Sequence, residues 1–402
     1  MKDVVIIANF CDGPNENSNN RFNYIAKLIS ESGNSVELIT SNFSHRSKKK
    51  RILDLCEKEN YKITMLEEPV YKKNISIKRF FAHYKLSKNV ERYLEKRKKP
   101  DVIYCAIPSL SLASIALKYS KKNNIRFILD IQDIWPEAFK MIFNIPVISD
   151  ILFYPMKIIA DNIYKNADYV VAVSKTYKDR AMLVRKKNEK DKGIAVYLGT
   201  DLNLFENIAD NYIEKKGENE FWIMYVGTLG HSYDIEMVID AVEILNEQGL
   251  DNIKLILVGD GPLKTRFELY SLNKKVNAKF IGRLEYTEMI KFLIQGDIAI
   301  NPIVEGAAGS IINKVADYAA AGLPVLNTQD CYEYKDLLEK WECGLSSKSG
   351  NAEMLAKNIM FLYNDKKVRE HMGSRSKALA NEKFNRSITY KKIINLILGE
   401  MI

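Results

Sequence analysis

Cysteine is scarce and scattered in this chain. Its five residues, Cys11, Cys56, Cys105, Cys331 and Cys343, are odd in number and form no CxxC pair. That argues against a disulfide framework and a cysteine-rich zinc site, and it suits a reducing compartment, the cytosol. Long apolar runs are lacking too. No stretch approaches the roughly 18–20 residues of a membrane span. The opening MKDVVIIANF is too short in its apolar run for a secretory signal and reads as a strand. No Asp-x-Asp pair or histidine cluster suits a divalent ion, so no metal is expected. No GxGxxG follows the first strand, which leaves a dinucleotide reading weak.

What is there is ordinary in bulk and uneven in charge. The 402 residues suffice for two α/β domains, and 47% hydrophobic with 28% charged residues is normal for a globular protein. Residues 1–205 carry 36 Lys and Arg against 23 Asp and Glu, or +13. Residues 206–402 carry 24 against 28, or −4, which completes the formal +9. The positive charge gathers at Arg46–Arg51, Arg92–Lys99 and Arg185–Lys187. One half therefore suits an anionic surface. On charge alone, anionic lipid, nucleic acid and a merely solvated basic face all fit.

The order of elements predicts a doubly wound α/β architecture twice over. Residues 4–9 (VVIIAN) form a fully apolar strand, as a parallel sheet covered on both faces requires. A helix over 21–32 follows, with Phe22, Ile25, Ala26 and Ile29 on one side, and Gly33 stops it. Strands at 35–40, 101–106, 126–131 and 169–174 continue the series. The second half repeats the scheme, with strands near 221–227, 254–258, 279–283 and 298–303. Helices are expected over 234–248, 287–295 and 314–321. The polar stretch 198–217 reads as a hinge. The predicted domains are 1–205 and 206–385, with an amphipathic helix in 386–402 packing back on the first domain. Such folds bind ligands at the carboxyl ends of their strands.

Chemistry concentrates at those ends. In Asn313–Pro324 (NKVADYAAAGLP), Lys314 precedes Asp317 by three residues at a helix start. A cation and a helix N-terminus suit phosphate, and a carboxylate suits sugar hydroxyls. An ordinary βα unit with an exposed lysine and a capping aspartate would read the same way. Gly227-Thr228-Leu229-Gly230 lets backbone amides approach an anion. His231 beside it is a polar loop residue before it is a catalyst. Gly259–Pro262 is a tight turn. Arg283 can pair with phosphate bidentately, and the adjacent backbone at Leu284 can hydrogen-bond a base. Glu305, Gly309 and Ser310 lie in a small-residue loop leading to Lys314.

In the first half, the loop 9–20 is rich in Asn and Gly, and Arg21 after it is a candidate anion ligand. Asp130-Ile-Gln-Asp133-Ile-Trp135-Pro-Glu137 sets carboxylates and a tryptophan after a buried strand. Trp135 with a carboxylate can hold a sugar face or an apolar chain. Equally, Trp135 can be core and Asp133 a cap.

The blocks YVGTLG, LVGDGP, IGR and NKVADYAAAGLPVL resemble family 4 glycosyltransferases of the GT-B fold. DIQDIWPE, AVS (172–174) and LGTDLNLF (198–205) resemble that family's bacterial polysaccharide, O-antigen and capsule branch. The resemblance implies a retaining transfer from a nucleotide-diphosphate sugar, of UDP type, without metal or other cofactor. It implies Asp317 on the ribose, and Lys314, Arg283, Gly227, Thr228 and Gly230 around the diphosphate. Glu305, Gly309 and Ser310 would meet the donor sugar. Asp133 would take the acceptor's proton, with Lys314 and Glu305 assisting catalysis. Arg21, Trp135 and Glu137 would meet a lipid-linked or glycan acceptor. The partner surface would be the anionic inner membrane face rather than nucleic acid. This chain has Gly309 where the family often has its first motif acid, Thr228 where many members have arginine, and Gln132 where many have histidine. A nucleotide-sugar 2-epimerase of the same fold, or an inert nucleotide-binding subunit, remains an alternative.

Overall fold

Runs of valine and isoleucine without polar alternation build the two large sheets, as strands buried on both faces require. The computed structural model describes residues 1–13, 20–51, 60–74, 76–140, 145, 147–210 and 216–400. Residues 14–19 of the first loop, Cys56 and positions 211–215 of the expected hinge lie outside the described residues. The chain divides into two units, Met1–Val196 with Tyr390–Ile402, and Tyr197–Thr389.

In the first unit the strands are β1 (Asp3–Ile7), β2 (Ser35–Ser41), a short antiparallel pair β3 (Phe43–Ser44) and β4 (Lys49–Lys50), β5 (Lys62–Leu66), β6 (Val102–Ile107), β7 (Arg126–Ile131), β8 (Tyr169–Ala172) and β9 (Gly193–Ala195). The large sheet has the order β5-β2-β1-β6-β7-β8-β9 and pairs in parallel throughout. Its order reverses between β1 and β6, where Val4 faces Val102. The helix Arg21–Glu31 starts at Asn20, whose side chain accepts from the Phe22 amide. It buries Phe22, Ile25, Ala26 and Ile29, the face read from the sequence.

The last helix, Lys391–Leu398, belongs to this first unit. Its Ile393 and Ile397 are fully buried in one core with Val4 and Ile6 of the central strand. Each such side chain contributes about 1.5–3 kcal/mol through burial.

In the second unit the strands are β10 (Phe221–Val226), β11 (Ile253–Val258), β12 (Ala278–Gly282), β13 (Ile298–Asn301), β14 (Val325–Asn327) and β15 (Gly344–Ser346). Their order is β12-β11-β10-β13-β14-β15, again all parallel, and it reverses between β10 and β13. The unit starts before the expected break at 205. Leu202 and Phe205, on the helix Leu202–Asp210, are buried in its core. Thr200 is clamped as well: its amide donates to the Phe384 carbonyl at 2.8 Å, and its carbonyl accepts from Arg386 at 3.1 Å. Residues 198–200, read as hinge, are therefore fixed inside the second unit.

Candidate active site

The loops after β10 and β13 meet at the reversal point of the second sheet, the position where such sheets leave a crevice. They are pinned together by backbone. The Asp234 amide donates to the Pro302 carbonyl at 2.8 Å, and the Val304 amide to Ser232 at 3.1 Å. Asp234 also caps the helix Ile235–Glu247 through the Met237 amide. On the other flank, Gly227 donates to Val258, Leu229 to Asp260 and Gly259 to Gly282, all within 3.0 Å. The ends of β10, β11 and β12 thus form one sheet of main chain. A Cβ on Gly259 (φ +152°) would stand 1.8 Å from the Gly227 carbonyl oxygen, so only glycine fits.

Lys314 opens the helix Lys314–Ala320 and is only 8% exposed. Its Nζ has no hydrogen-bond partner among the described residues. It lies 4.0 Å from the ring centre of Tyr225 and 4.1 Å from that of Tyr233. The ring faces supply the ammonium with its remaining stabilisation. A Cβ built on Gly227 would come within 3.4 Å of this nitrogen, so the amine abuts the glycine loop. Burial holds the Lys314 pKa well below its usual value. The helix after it has seven residues, so the amine rather than the helix dipole is the cationic feature.

Asp317 is engaged by hydroxyls. Tyr286 donates to its Oδ1 at 2.8 Å, the Tyr286 oxygen lies 2.6 Å from that of Thr200, and Arg386 lends positive charge. Burial still pushes the carboxyl up to about 6. Of the loop amides at 228–230, that of Leu229 is taken by Asp260. Thr228 and Arg283 are exposed, and Leu284 packs against the unit's core. Glu305 and Gly309 are exposed, whereas Ser310 is buried and its hydroxyl has no partner among the described residues. His231 is exposed on the loop.

A polar network missed in the sequence lies beneath the Glu305–Ser310 loop. Asn301, Asn327 and Gln329 are fully buried at the ends of β13 and β14. Asn301 Nδ2 donates to Asn327 Oδ1 at 2.9 Å and to Gln329 Oε1 at 3.2 Å. Gln329 Nε2 in turn holds the carbonyls of Ala308 (3.1 Å) and Ser310 (2.7 Å). The available signal was the asparagine that closes each apolar strand, IAIN and VLN. The tyrosines flanking Lys314 were equally visible, in YVGTLG and HSYD, but nothing in one sequence pairs them with a lysine.

The first unit corrects three expectations. Arg21 is not an anion ligand. It is 3% exposed, with Nε 2.8 Å from Asp130 and the guanidinium donating to the Val196 carbonyl and the Tyr390 hydroxyl. Asp130 is satisfied further by Tyr104 and Gln132. Trp135 is no open platform, being 4% exposed between His83 (rings parallel, 5.8 Å), Phe139 and Arg79. Glu137 pairs with Arg180, which also holds Asp161 at 2.7 Å. Arg21 and Trp135 serve structure because burial demands that their polar or aromatic surface be matched locally, and Glu137 commits one carboxylate oxygen to Arg180.

Asp133 is half-buried, accepting from the Ile134 amide at 2.9 Å and the Tyr177 hydroxyl at 3.3 Å, and burial raises its pKa. A cluster the sequence did not single out starts at Arg79, whose charge reaches Asp133, and runs through His83 to His45. Burial pushes His83 down to about 3 and His45 to about 4, and Arg79 Nε lacks a partner among the described residues.

The basic clusters are partly structural too. Arg51 donates to the carbonyls of Ser41 and Cys11, and Lys50 to that of Glu68. Arg97 pairs with Asp3 and Glu37, and Arg185 binds the carbonyls of Tyr164 and Ala167.

Residues 209–379 match the family model described as Glycosyl transferases group 1. The chain is 28% identical over 250 residues to the glycosyltransferase MJ1069 of Methanocaldococcus jannaschii, covering 60% of this chain and 62% of that relative, less than two thirds of its length. Anabaena HepE in complex with UDP superposes with a TM-score of 0.73 at 16% identity, over 99% of this chain and 100% of that one. WaaG, a glycosyltransferase of lipopolysaccharide biosynthesis, gives 0.69 at 16% identity over 98% and 100%. At these identities the likeness shows the fold, two Rossmann-like halves of GT-B type.

Proposed function

We propose that this protein is a glycosyltransferase, in keeping with the group 1 family model that residues 209–379 match, and that it moves a sugar from a uridine-diphosphate donor to a lipid-linked glycan acceptor, with retention and without a metal. One observation carries the donor reading: Lys314, a buried amine with no hydrogen-bond partner among the described residues, set against the glycine loop. A buried amine in that state is unfavourable as a cation and becomes favourable once an anion meets it. A diphosphate supplies that anion. Anabaena HepE, bound to UDP and to UDP-glucose, supports uridine as the base.

In this reading Lys314, the amides of Gly227, Thr228 and Gly230, and Arg283 hold the diphosphate. They stabilise the charge that grows on the leaving group, the task a metal performs in other transferases. Leu284 lies beside the base, and Asp317 receives the ribose hydroxyls. The loop with Glu305, Gly309 and Ser310 faces the donor sugar, which passes through an oxocarbenium-like state. Asp133, raised by burial, accepts the proton of the acceptor hydroxyl. Attack from the leaving-group face keeps the anomeric configuration.

A thermal-shift series with UDP, GDP and ADP and their sugars tests the donor, since binding to the native state raises the melting point. Uridine ligands should give the largest shift, and Lys314→Met should abolish it. A larger shift with guanosine ligands would overturn the base, and no shift with any nucleotide would overturn the donor reading. Transfer should persist in EDTA; activity lost there and restored by magnesium or manganese would refute metal independence.

A further inference from the structure

Twelve of the twenty-two large apolar side chains exposed among the described residues fall in two segments of the first unit, residues 77–84 and 145–159. On the helix Ile148–Asn166, Ile148, Ile151, Leu152, Tyr154, Ile158 and Ile159 are each 41–71% exposed. Between Ile148 and Ile159 only Ser149 is buried. The helix Ile77–Lys96 buries Ala82, Leu86, Val90 and Leu94, and turns Ile77, Phe81 and Tyr84 outward. Phe139 joins the two helices. Its ring lies 5.7 Å from Phe80 of one and 5.7 Å from Phe153 of the other. An apolar surface of this size on a soluble protein marks a contact site.

Its charge says what covers it. Lys78 and Lys85 interleave with the outward aromatic residues, the Lys85 amine standing 5.5 Å from the Phe81 ring centre. Lys72 and Lys73 stand exposed just before the helix. No Asp or Glu occurs from Ile77 to Val90. The whole unit carries 38 Lys and Arg against 23 Asp and Glu. A second copy packed symmetrically would set these lysines against themselves. An anionic bilayer meets both needs, with acyl chains for the apolar side chains and phosphates for the lysines. Among the described residues no helix is long and apolar enough to cross a membrane.

We propose that the helices Ile77–Lys96 and Ile148–Asn166 form an interfacial face that lies in the headgroup layer of an anionic membrane. On the first helix the face is the N-terminal half, apart from the Arg46–Arg51 and Arg92–Lys99 clusters, several of whose side chains are taken up inside the unit. It deepens the reading of a lipid-linked acceptor and does not depend on the donor.

Co-sedimentation of the full chain with vesicles tests it, comparing equimolar phosphatidylglycerol and phosphatidylcholine with phosphatidylcholine alone. The wild-type chain should bind the anionic vesicles, less so at high salt. Ile151→Ser with Leu152→Ser should weaken binding about tenfold or more through lost apolar insertion, at an unchanged melting point because both side chains are exposed. Lys78→Glu with Lys85→Glu should weaken it on anionic vesicles, while Lys49→Glu should not. No binding by the wild-type chain, or undiminished binding by both double variants, would overturn the proposal. So would a dimer in sedimentation equilibrium that the serine pair dissolves, since the face would then belong to a second copy. Nucleotide thermal shifts on the same variants separate this outcome from that of the donor reading: they should be unchanged.

Discussion

Each unit buries a basic side chain close to the reversal of its sheet, and the two are treated in opposite ways. Arg21 in the first unit meets Asp130, the Val196 carbonyl and the Tyr390 hydroxyl, and Asp130 is itself matched by Tyr104 and Gln132. Lys314 in the second meets two aromatic faces and no hydrogen-bond acceptor among the described residues. The first arrangement is complete without a ligand and needs its own partners to stay folded. The second is incomplete, and its deficit has the sign of an anion. Burial alone does not distinguish structural from functional charge; the local tally of acceptors does.

The contrast breaks most sharply at Arg21. Arg21→Met leaves Asp130 buried without its cation and should cost about 3–5 kcal/mol of stability. Urea denaturation measures it, and a loss under about 1 kcal/mol would return Arg21 to the candidate ligands. Lys314→Ala should do the reverse, cutting transfer roughly 100- to 1000-fold while the fold persists. Its native pKa lies below the unfolded one, so as pH falls through 10.5 the unfolded chain takes the proton and the native state loses stability. Lys314→Met should therefore melt no lower than wild type at pH 7, and its advantage should shrink as pH approaches 10.5. Activity within about threefold of wild type would dismiss the site.

Gln329→Ala sharpens the comparison on the polar side. It leaves two loop carbonyls unmatched, a loss of about 1–3 kcal/mol. Donor KM should rise while UDP affinity stays, and equal losses of both would mean general unfolding. The smallest effect is expected at Asp317. Its carboxyl titrates near 6 when folded and at 3.8 in the reference state, so the native chain binds the proton first and gains stability as pH falls across that window. Asp317→Asn lacks this gain. The melting difference between variant and wild type should shift in favour of wild type from pH 7 to pH 4.5, and a constant difference would contradict the raised pKa.

The architecture was legible because parallel strands covered on both faces must be apolar, and VVIIAN, VIYCAI and KLILV announce themselves. The proposed diphosphate loop was legible because glycines mark close backbone approach. The acceptor residues misled because Arg21 and Trp135 have the chemistry of ligand contacts, and only tertiary packing shows that their surfaces are already matched. Position 205 misled for a related reason: polar composition suggested a hinge, while Leu202 and Phe205 were recruited to a core formed by residues far along the chain. The network of Asn301, Asn327 and Gln329 escaped because isolated amides have no spacing pattern.

The close fit of main chain at Gly227, Gly259 and Gly261 limits how this site can diversify. Side chains built at Gly259 and Gly261 would stand 1.8 Å and 2.3 Å from neighbouring carbonyl oxygens, whereas Gly309 has nothing within 4 Å. A surface made of backbone offers point mutation nothing to enlarge, recharge or reshape. On the proposed donor reading, a change of sugar preference, by descent or by library, would have to work through the loop carrying Gly309, while the glycine floor stays the same.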